Sequence, residues 1–333
     1  MKAFALYRLP YASECVRIVQ HSGSALVDSD NGKLPSDCKG FVMVPFDATK
    51  QMVIIRGERE EIKMEDIAKD RKCEVESVEG TETCSPYNFE TFKAALDEDV
   101  FSKLVLSRCV TIDTKVNAEA TFYEACRRYP RMMIYLCQVP EIGMWLGCTP
   151  EILLSGSKSH YRTVALAGTM KYAENVEWSD KNKHEQAIVA DYIRNIIRRY
   201  ADVIEEEGPY TSRAGQLIHL KTEFHFQPKA QCSIADIIDE LHPTPAVCGV
   251  PKDAARHFII NNEGYDRKFY SGIVGMYDPK GETELFVNLR CAEITDKGIT
   301  LYAGGGLLKA SNRDSEWKET EEKMKTIRSC IQR

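Results

Sequence analysis

The chain has 333 residues, 43% of them hydrophobic and 28% charged, enough for a large core in an ordinary globular protein. Its net charge of −6 argues against a nucleic-acid or anionic-membrane surface, so a small anionic substrate would have to be held by local cations or through a bound metal ion. No apolar stretch approaches the roughly 18 residues of a membrane span, and the first ten residues are too interrupted for a secretory signal, so the cytoplasm is the expected compartment.

In chain order, residues 1–90 mix short apolar runs with charged connectors. Strands are predicted at 41–46 and 52–55, while 56–90 is polar and punctuated by Gly57, Gly80 and Pro86. This part carries no chemistry motif and is expected to complete a sheet and cover a face. From residue 91 the pattern sharpens. A short helix is predicted over 88–98, a strand over 103–110, a helix over 121–128, a hairpin from 132–139 and 144–148, and a strand over 161–166. The longest helix is predicted over 183–206, with Ile188, Tyr192, Ile196 and Tyr200 in a broad apolar stripe. Strands at 269–277, 284–294 and 299–303 precede a terminal helix over 314–332, with Trp317, Met324, Ile327 and Ile331 turned inward. Strands dominate and most connections are short. The expected class is therefore α+β, with large, mostly antiparallel sheets in one domain over 1–333: a motif-poor part at 1–90 and a motif-bearing part at 91–333. Twelve cysteines stand singly, without CxxC or a short Cys/His cluster, and read as reduced small hydrophobes.

Several residues admit a chemical role beside an ordinary one. Lys103 begins a buried-looking strand, as a solvated edge residue or as a general base with a lowered pKa. Glu151 interrupts the apolar run Thr149-Pro-Glu-Ile-Leu-Leu154, either capping a turn or pairing with an arginine, or serving as an acid whose pKa is raised. Glu185 lies in the first turn of the long helix, where a carboxylate favours the helix dipole. Glu316, Glu319 and Glu322 recur every three residues along the terminal helix, as a solvated face or, with Glu185, as the oxygen donors a magnesium ion prefers. Two glycine-containing turns, 165–169 and 303–308, offer close backbone approach to a ligand, but neither fits a dinucleotide or P-loop pattern.

Nine motifs occur in order over residues 90–333. They run from Lys103-Leu-Val-Leu-Ser-Arg108 through Leu166-Ala-Gly-Thr169, Leu241-His-Pro-Thr-Pro-Ala246, Phe269-Tyr-Ser-Gly-Ile-Val-Gly275 and Leu289-Arg-Cys-Ala292 to Glu316-Trp-Lys-Glu-Thr320. Together they closely resemble the chorismate-utilising family of isochorismate, salicylate, anthranilate and aminodeoxychorismate synthases. The resemblance implies an α/β sandwich of two large antiparallel sheets with helices outside and the site between the sheets. It implies Lys103 as the base that activates water, Glu151 as the acid for the departing 4-hydroxyl, and Mg²⁺ held by Glu185 and Glu319, with Glu322 as a further carboxylate. It implies Gly168, Thr169, His242, Ala246, Tyr270, Arg290, Gly305 and Lys323 around the substrate.

Within that resemblance, lysine at 103 implies water rather than ammonia as nucleophile, hence no obligate amidotransferase partner. Ala246 is similar to the isochorismate synthases. The rivals are a salicylate synthase, which goes on to eliminate pyruvate, and a non-catalytic chorismate-binding subunit. Gln186, Gly305 and Asn288 depart from the family's usual residues without removing an implied acid, base or metal ligand.

Overall fold

A computed structural model describes residues 2–28, 32–64, 80–158, 160–173 and 176–333. The chain opens with β1 (Ala3–Arg8), β2 (Glu14–Gln20), β3 (Leu26–Val27), β4 (Gly40–Val44), β5 (Met52–Ile55), β6 (Glu58–Lys63) and β7 (Glu82–Cys84). Helix α1 (Phe89–Asp97), β8 (Lys103–Ile112), α2 (Ala118–Arg128), β9 (Met133–Val139), β10 (Gly143–Thr149), β11 (Ile152–Ser157) and β12 (His160–Lys171) follow. Then come α3 (Asp180–Tyr200), β13 (Ala201–Ala214), β14 (Leu217–Pro228), α4 (Ile234–Leu241), β15 (Gly249–Val250) and α5 (Lys252–Asn262). The chain closes with β16 (Ile273–Tyr277), β17 (Glu282–Val287), β18 (Cys291–Thr295), β19 (Gly298–Leu307) and α6 (Arg313–Arg328).

Two antiparallel sheets result. The first runs β15-β8-β19-β18-β10-β9-β1-β2-β6, with β7 also on β8, and the second runs β13-β14-β12-β11-β17-β16-β4-β5-β3. Tyr7, Tyr135 and Trp145 of the first meet Phe41, Met43 and Val274 of the second in a shared core, and the Tyr7 and Phe41 ring centroids lie 5.4 Å apart. Helix α3 covers the outer face of the second sheet with Val189, Ile193, Ile196 and Ile197, and α2 and α6 cover the first with Phe122, Met324 and Ile327. The expected α+β sandwich is the observed fold. The N-terminal strands extend both sheets, so they add to the sandwich on both sides rather than on one face.

Three expectations about elements are corrected. The long helix stops at Tyr200, not 206, and the chain continues directly into β13, which pairs along β14. Apolar residues continue past Tyr200, but cross-strand pairing outweighs weak helix propensity there. The strand predicted over 284–294 is two strands, β17 in one sheet and β18 in the other, with Asn288, Leu289 and Arg290 crossing between them. The two glycine-containing segments are not turns: 165–169 lies inside β12 and 303–307 inside β19. The hairpin of β9 and β10 stands as expected, with Met144 opposite Gln138.

Among the described residues, no helix is long and apolar enough to cross a membrane, and the eleven described cysteines are all free. Cys73 lies outside the described residues. Burial pushes the thiols of Cys137, Cys148 and Cys291 upward, which suppresses the reactive thiolate. In thiol labelling of the native protein, the exposed Cys84 is therefore expected to react ahead of these three, which should label only on unfolding. Native disulfides found by mass spectrometry would contradict this.

Candidate active site

The chain crosses between the sheets several times, and the candidate site forms where two of these crossings lie side by side. Pro150 and Glu151 link β10 of the first sheet to β11 of the second, and residues 288–290 link β17 back to β18. The crossings are bonded side by side: Val287 N–H donates to the Glu151 carbonyl at 2.9 Å, and Cys148 N–H to the Arg290 carbonyl at 3.0 Å. Arg290 takes φ +46° and Ser271 φ +62°, left-handed conformations that the surrounding bonds must hold in place. Asn288 supplies part of that hold. Its amide donates to the Phe269 carbonyl at 2.9 Å, and its side-chain oxygen accepts from the Tyr135 hydroxyl at 2.8 Å.

One pocket at this junction is lined by Glu151, Gly168, Thr169, Glu185, Ala246, Tyr270, Arg290, Glu319 and Lys323, all nine foreseen from sequence. Lys103 is fully buried beside it and ion-pairs with Glu185 Oε1 at 2.9 Å. Glu151 is 2% exposed, and burial drives its carboxyl up to about 8 despite the opposing fields of Lys103, Lys323 and Arg290. Near neutrality it therefore keeps its proton and can give it away. Burial also pushes the Glu185 carboxyl up, but the hydrogen bond and charge of Lys103 outweigh it, so Glu185 stays ionised. Burial lowers Arg290 to about 10, which leaves it charged at pH 7. Lys323 donates to Glu319 Oε1 and to the Gly304 carbonyl, each at 2.7 Å, and so stands fixed at the pocket wall.

Besides Lys103, which lies beside the pocket, three foreseen residues fall outside the lining. His242 follows the end of α4, buried with neither ring nitrogen hydrogen-bonded and facing Lys252 and Arg256; the turn after it, closed by Val247 and Cys248 N–H on the Thr244 carbonyl, brings Ala246 and Val247 to the pocket instead. Gly305 turns its missing side chain toward Glu316 and Glu319 on α6. Glu322 binds Lys171 at 2.9 Å and Lys325 at 2.8 Å, away from Glu185 and Glu319. The three glutamates singled out on α6 thus have three different surroundings. Glu316 is buried against Lys181, Glu319 lines the pocket, and Glu322 is held between Lys171 and Lys325.

Sequence reasoning missed two residues here. Gly306 lines the pocket where a Cβ would stand 2.1 Å from Glu185 Oε1 and 2.8 Å from Lys103 Cε. His219, on β14, has Nε2 2.6 Å from an Arg290 nitrogen and Nδ1 3.0 Å from the Gly168 carbonyl. Arginine can only donate, so Nε2 accepts and Nδ1 carries the proton. Burial, with Arg290 and Lys323 nearby, holds His219 neutral. A lone histidine in an alternating strand carries no signal for this in sequence. Gln186 is explained structurally: its amide ties α3 to the Ala165 carbonyl and to Thr222 at 3.0 and 3.1 Å.

No set of three or more His, Cys, Asp or Glu side chains converges on one point among the described residues. Magnesium does not require one, because it commonly takes one or two carboxylates and completes its shell with water and substrate oxygens. Glu185 from α3 and Glu319 from α6 line one pocket, and the two carboxylates are of the kind such an ion would take.

The comparisons agree with this architecture. The family described as "Chorismate binding enzyme" matches residues 47–332. The chain belongs to that family. Among its relatives, isochorismate synthase EntC of Escherichia coli (strain K12) is 29% identical over 238 residues, 68% of this chain and 61% of that protein. Isochorismate synthase DhbC of Bacillus subtilis (strain 168) is 34% identical over 200 residues, 55% of this chain and 49% of that protein. The chain thus spans about half to three fifths of these relatives' length. Among solved structures, menaquinone-specific isochorismate synthase MenF of Escherichia coli superposes with TM-score 0.81 at 21% identity, covering all of this chain and 89% of that one. Anthranilate synthase component I of Streptococcus pneumoniae gives 0.73 at 14%, over 98% and 90%. At these identities the superpositions establish the shared fold. Nine of the foreseen residues therefore lie at the strand exchange of the family fold.

Proposed function

We propose that the chain is an isochorismate synthase, an isomerase that converts chorismate to isochorismate. The observation that carries this reading is the pairing, at one pocket, of a buried lysine with a carboxyl raised to about 8. Lys103, in its neutral amine form, takes a proton from water as the water oxygen bonds to C2. The ring double bond shifts, the C4–O bond breaks, and Glu151 protonates the departing oxygen. One water enters and one leaves, so the net change is an isomerisation. Arg290, oriented by His219, and Lys323 hold the substrate's carboxylates. Glu185 and Glu319 would hold Mg²⁺, which supplies charge neutralisation at the ring carboxylate. Water as nucleophile needs no amidotransferase partner, and the free cysteines suit a reducing, cytoplasmic setting.

The test is product analysis. Incubated with chorismate and Mg²⁺, the protein is expected to yield isochorismate, with little salicylate. Salicylate and pyruvate as main products would assign a salicylate synthase, anthranilate formed with added ammonium would assign an amine-forming enzyme, and binding without turnover would leave a chorismate-binding subunit.

The metal has its own expectation. Excess EDTA should abolish turnover, and Glu319→Gln should raise the Mg²⁺ concentration needed for half-maximal activity. Mg²⁺ titration by calorimetry in the presence of chorismate should weaken in the same variant, while unchanged binding would remove Glu319 from the metal site.

A further inference from the structure

A second cavity abuts the catalytic pocket and is larger, about 270 Å³ against about 50 Å³. The two share Pro150, Leu166 and His219 as walls. They meet at the Arg290–His219 pair: His219 lines both cavities, and Arg290 also donates to the carbonyl of Ala214, a wall of the second cavity, at 3.4 Å.

The charges around this second cavity are unbalanced. Arg131, Arg162, Arg213 and Lys221 line it against one carboxylate, Glu284. Glu284 accepts from the Ser155 hydroxyl at 2.8 Å, and burial pushes its pKa up, which weakens it as a counter-ion. Lys221 is paired with Glu223 at 2.8 Å. The three arginines form no salt bridge among the described residues: Arg162 approaches Ser155, and Arg213 donates to the Gly215 carbonyl while lying 4.1 Å over the Tyr172 ring. Arg131 and Arg213 are exposed. In a chain of net charge −6, three guanidinium groups without a salt-bridge partner among the described residues, around one concavity, make a local attractor for anions.

We propose that this cavity is an anion-docking vestibule, which captures the carboxylates of the incoming substrate and delivers it past His219 and Arg290 into the catalytic pocket. The inference rests on the reading above only in naming a dicarboxylate as the ligand. The vestibule acts on capture and not on the chemical step, because none of its arginines touches Lys103, Glu151, Glu185 or Glu319 by hydrogen bond or salt bridge.

The experiment compares the wild type with Arg131→Glu/Arg213→Glu, both surface positions, after circular dichroism and thermal melting show equal folding. Association rates are measured by stopped-flow tryptophan fluorescence for chorismate and for the non-reacting dicarboxylate isophthalate, at low and high salt. In the wild type the rate constant for both should fall as salt rises, because screening shortens the reach of the field. In the double variant it should drop about tenfold at low salt and lose the salt dependence. With chorismate, kcat/KM should follow the association rate while kcat stays unchanged. Equal rates and equal salt dependence in variant and wild type would overturn the vestibule whether or not chorismate turns over. A wild type that binds both ligands in a salt-dependent, arginine-dependent way but makes no isochorismate would overturn the enzyme reading and keep the vestibule. A wild type that binds neither would overturn both.

Discussion

Lys103→Ala and Glu151→Gln are each expected to lower turnover about 10²–10⁴-fold while chorismate still binds in the presence of Mg²⁺. Alanine leaves nothing to take the proton from water, and an amide cannot supply one to the departing oxygen. Arg290, Lys323 and the carboxylates on α3 and α6 still line the pocket, so binding should persist. The equilibrium constant is a property of the reactants, so each variant should be impaired by the same factor in both directions. Forward turnover in the wild type should fall as pH rises through about 8, where Glu151 loses its proton. The same carboxyl has a consequence for folding. Its folded pKa of about 8 lies above the ordinary 4.5, so the stability linked to its proton is complete below about 4.5 and is lost as pH rises through 8. Glu151→Gln should therefore flatten the stability profile between these limits and raise the melting temperature at pH 8. A variant that loses activity and gains stability is what a functional, strained carboxyl predicts. Near wild-type turnover in either variant, measured in both directions beside chorismate affinity, would remove that residue from the mechanism.

Gly306→Ala is expected to cost at least about 10²-fold in turnover, although it adds one methyl group. That methyl would stand 2.1 Å from Glu185 Oε1 and 2.8 Å from Lys103 Cε, inside the ion pair that organises the base. Either Glu185 moves away from the position it shares with Glu319 or Lys103 moves away from the pocket. Both outcomes should raise the Mg²⁺ requirement. Gly305→Ala is the matched control. Its methyl would meet Glu316 Oε2 at 3.2 Å, a contact that a small adjustment relieves, so the loss should stay within about tenfold. Steady-state kinetics with Mg²⁺ titration on both variants checks this, and equal effects of the two would show that the Glu185–Lys103 contact does not set the rate.

Local pattern and motif order were enough for the α+β class, the strands that form most of the sandwich, and nine of the residues that line the candidate pocket. They sufficed because strand-forming apolar runs are local, and because Lys103, Glu151, Glu185 and Glu319 stand in motifs whose wording and order are specific. Three-residue spacing on α6 did not reveal that Glu316, Glu319 and Glu322 meet different partners, since Lys181 and Lys171, which pair with Glu316 and Glu322, arrive from other elements, while Glu319 pairs with Lys323 on α6 itself. The end of α3 at Tyr200 was likewise decided by pairing between β13 and β14, which no local propensity encodes. Above all, the exchange of strands between the sheets belongs to tertiary structure. It places Glu151 and Arg290 on adjacent crossings, brings His219 from a distant strand to orient Arg290, and makes Gly306 the narrow place beside Lys103. Periodicity reports which face of an element is buried; only the packed chain decides what that face meets, and the raised carboxyl of Glu151 follows from that packing.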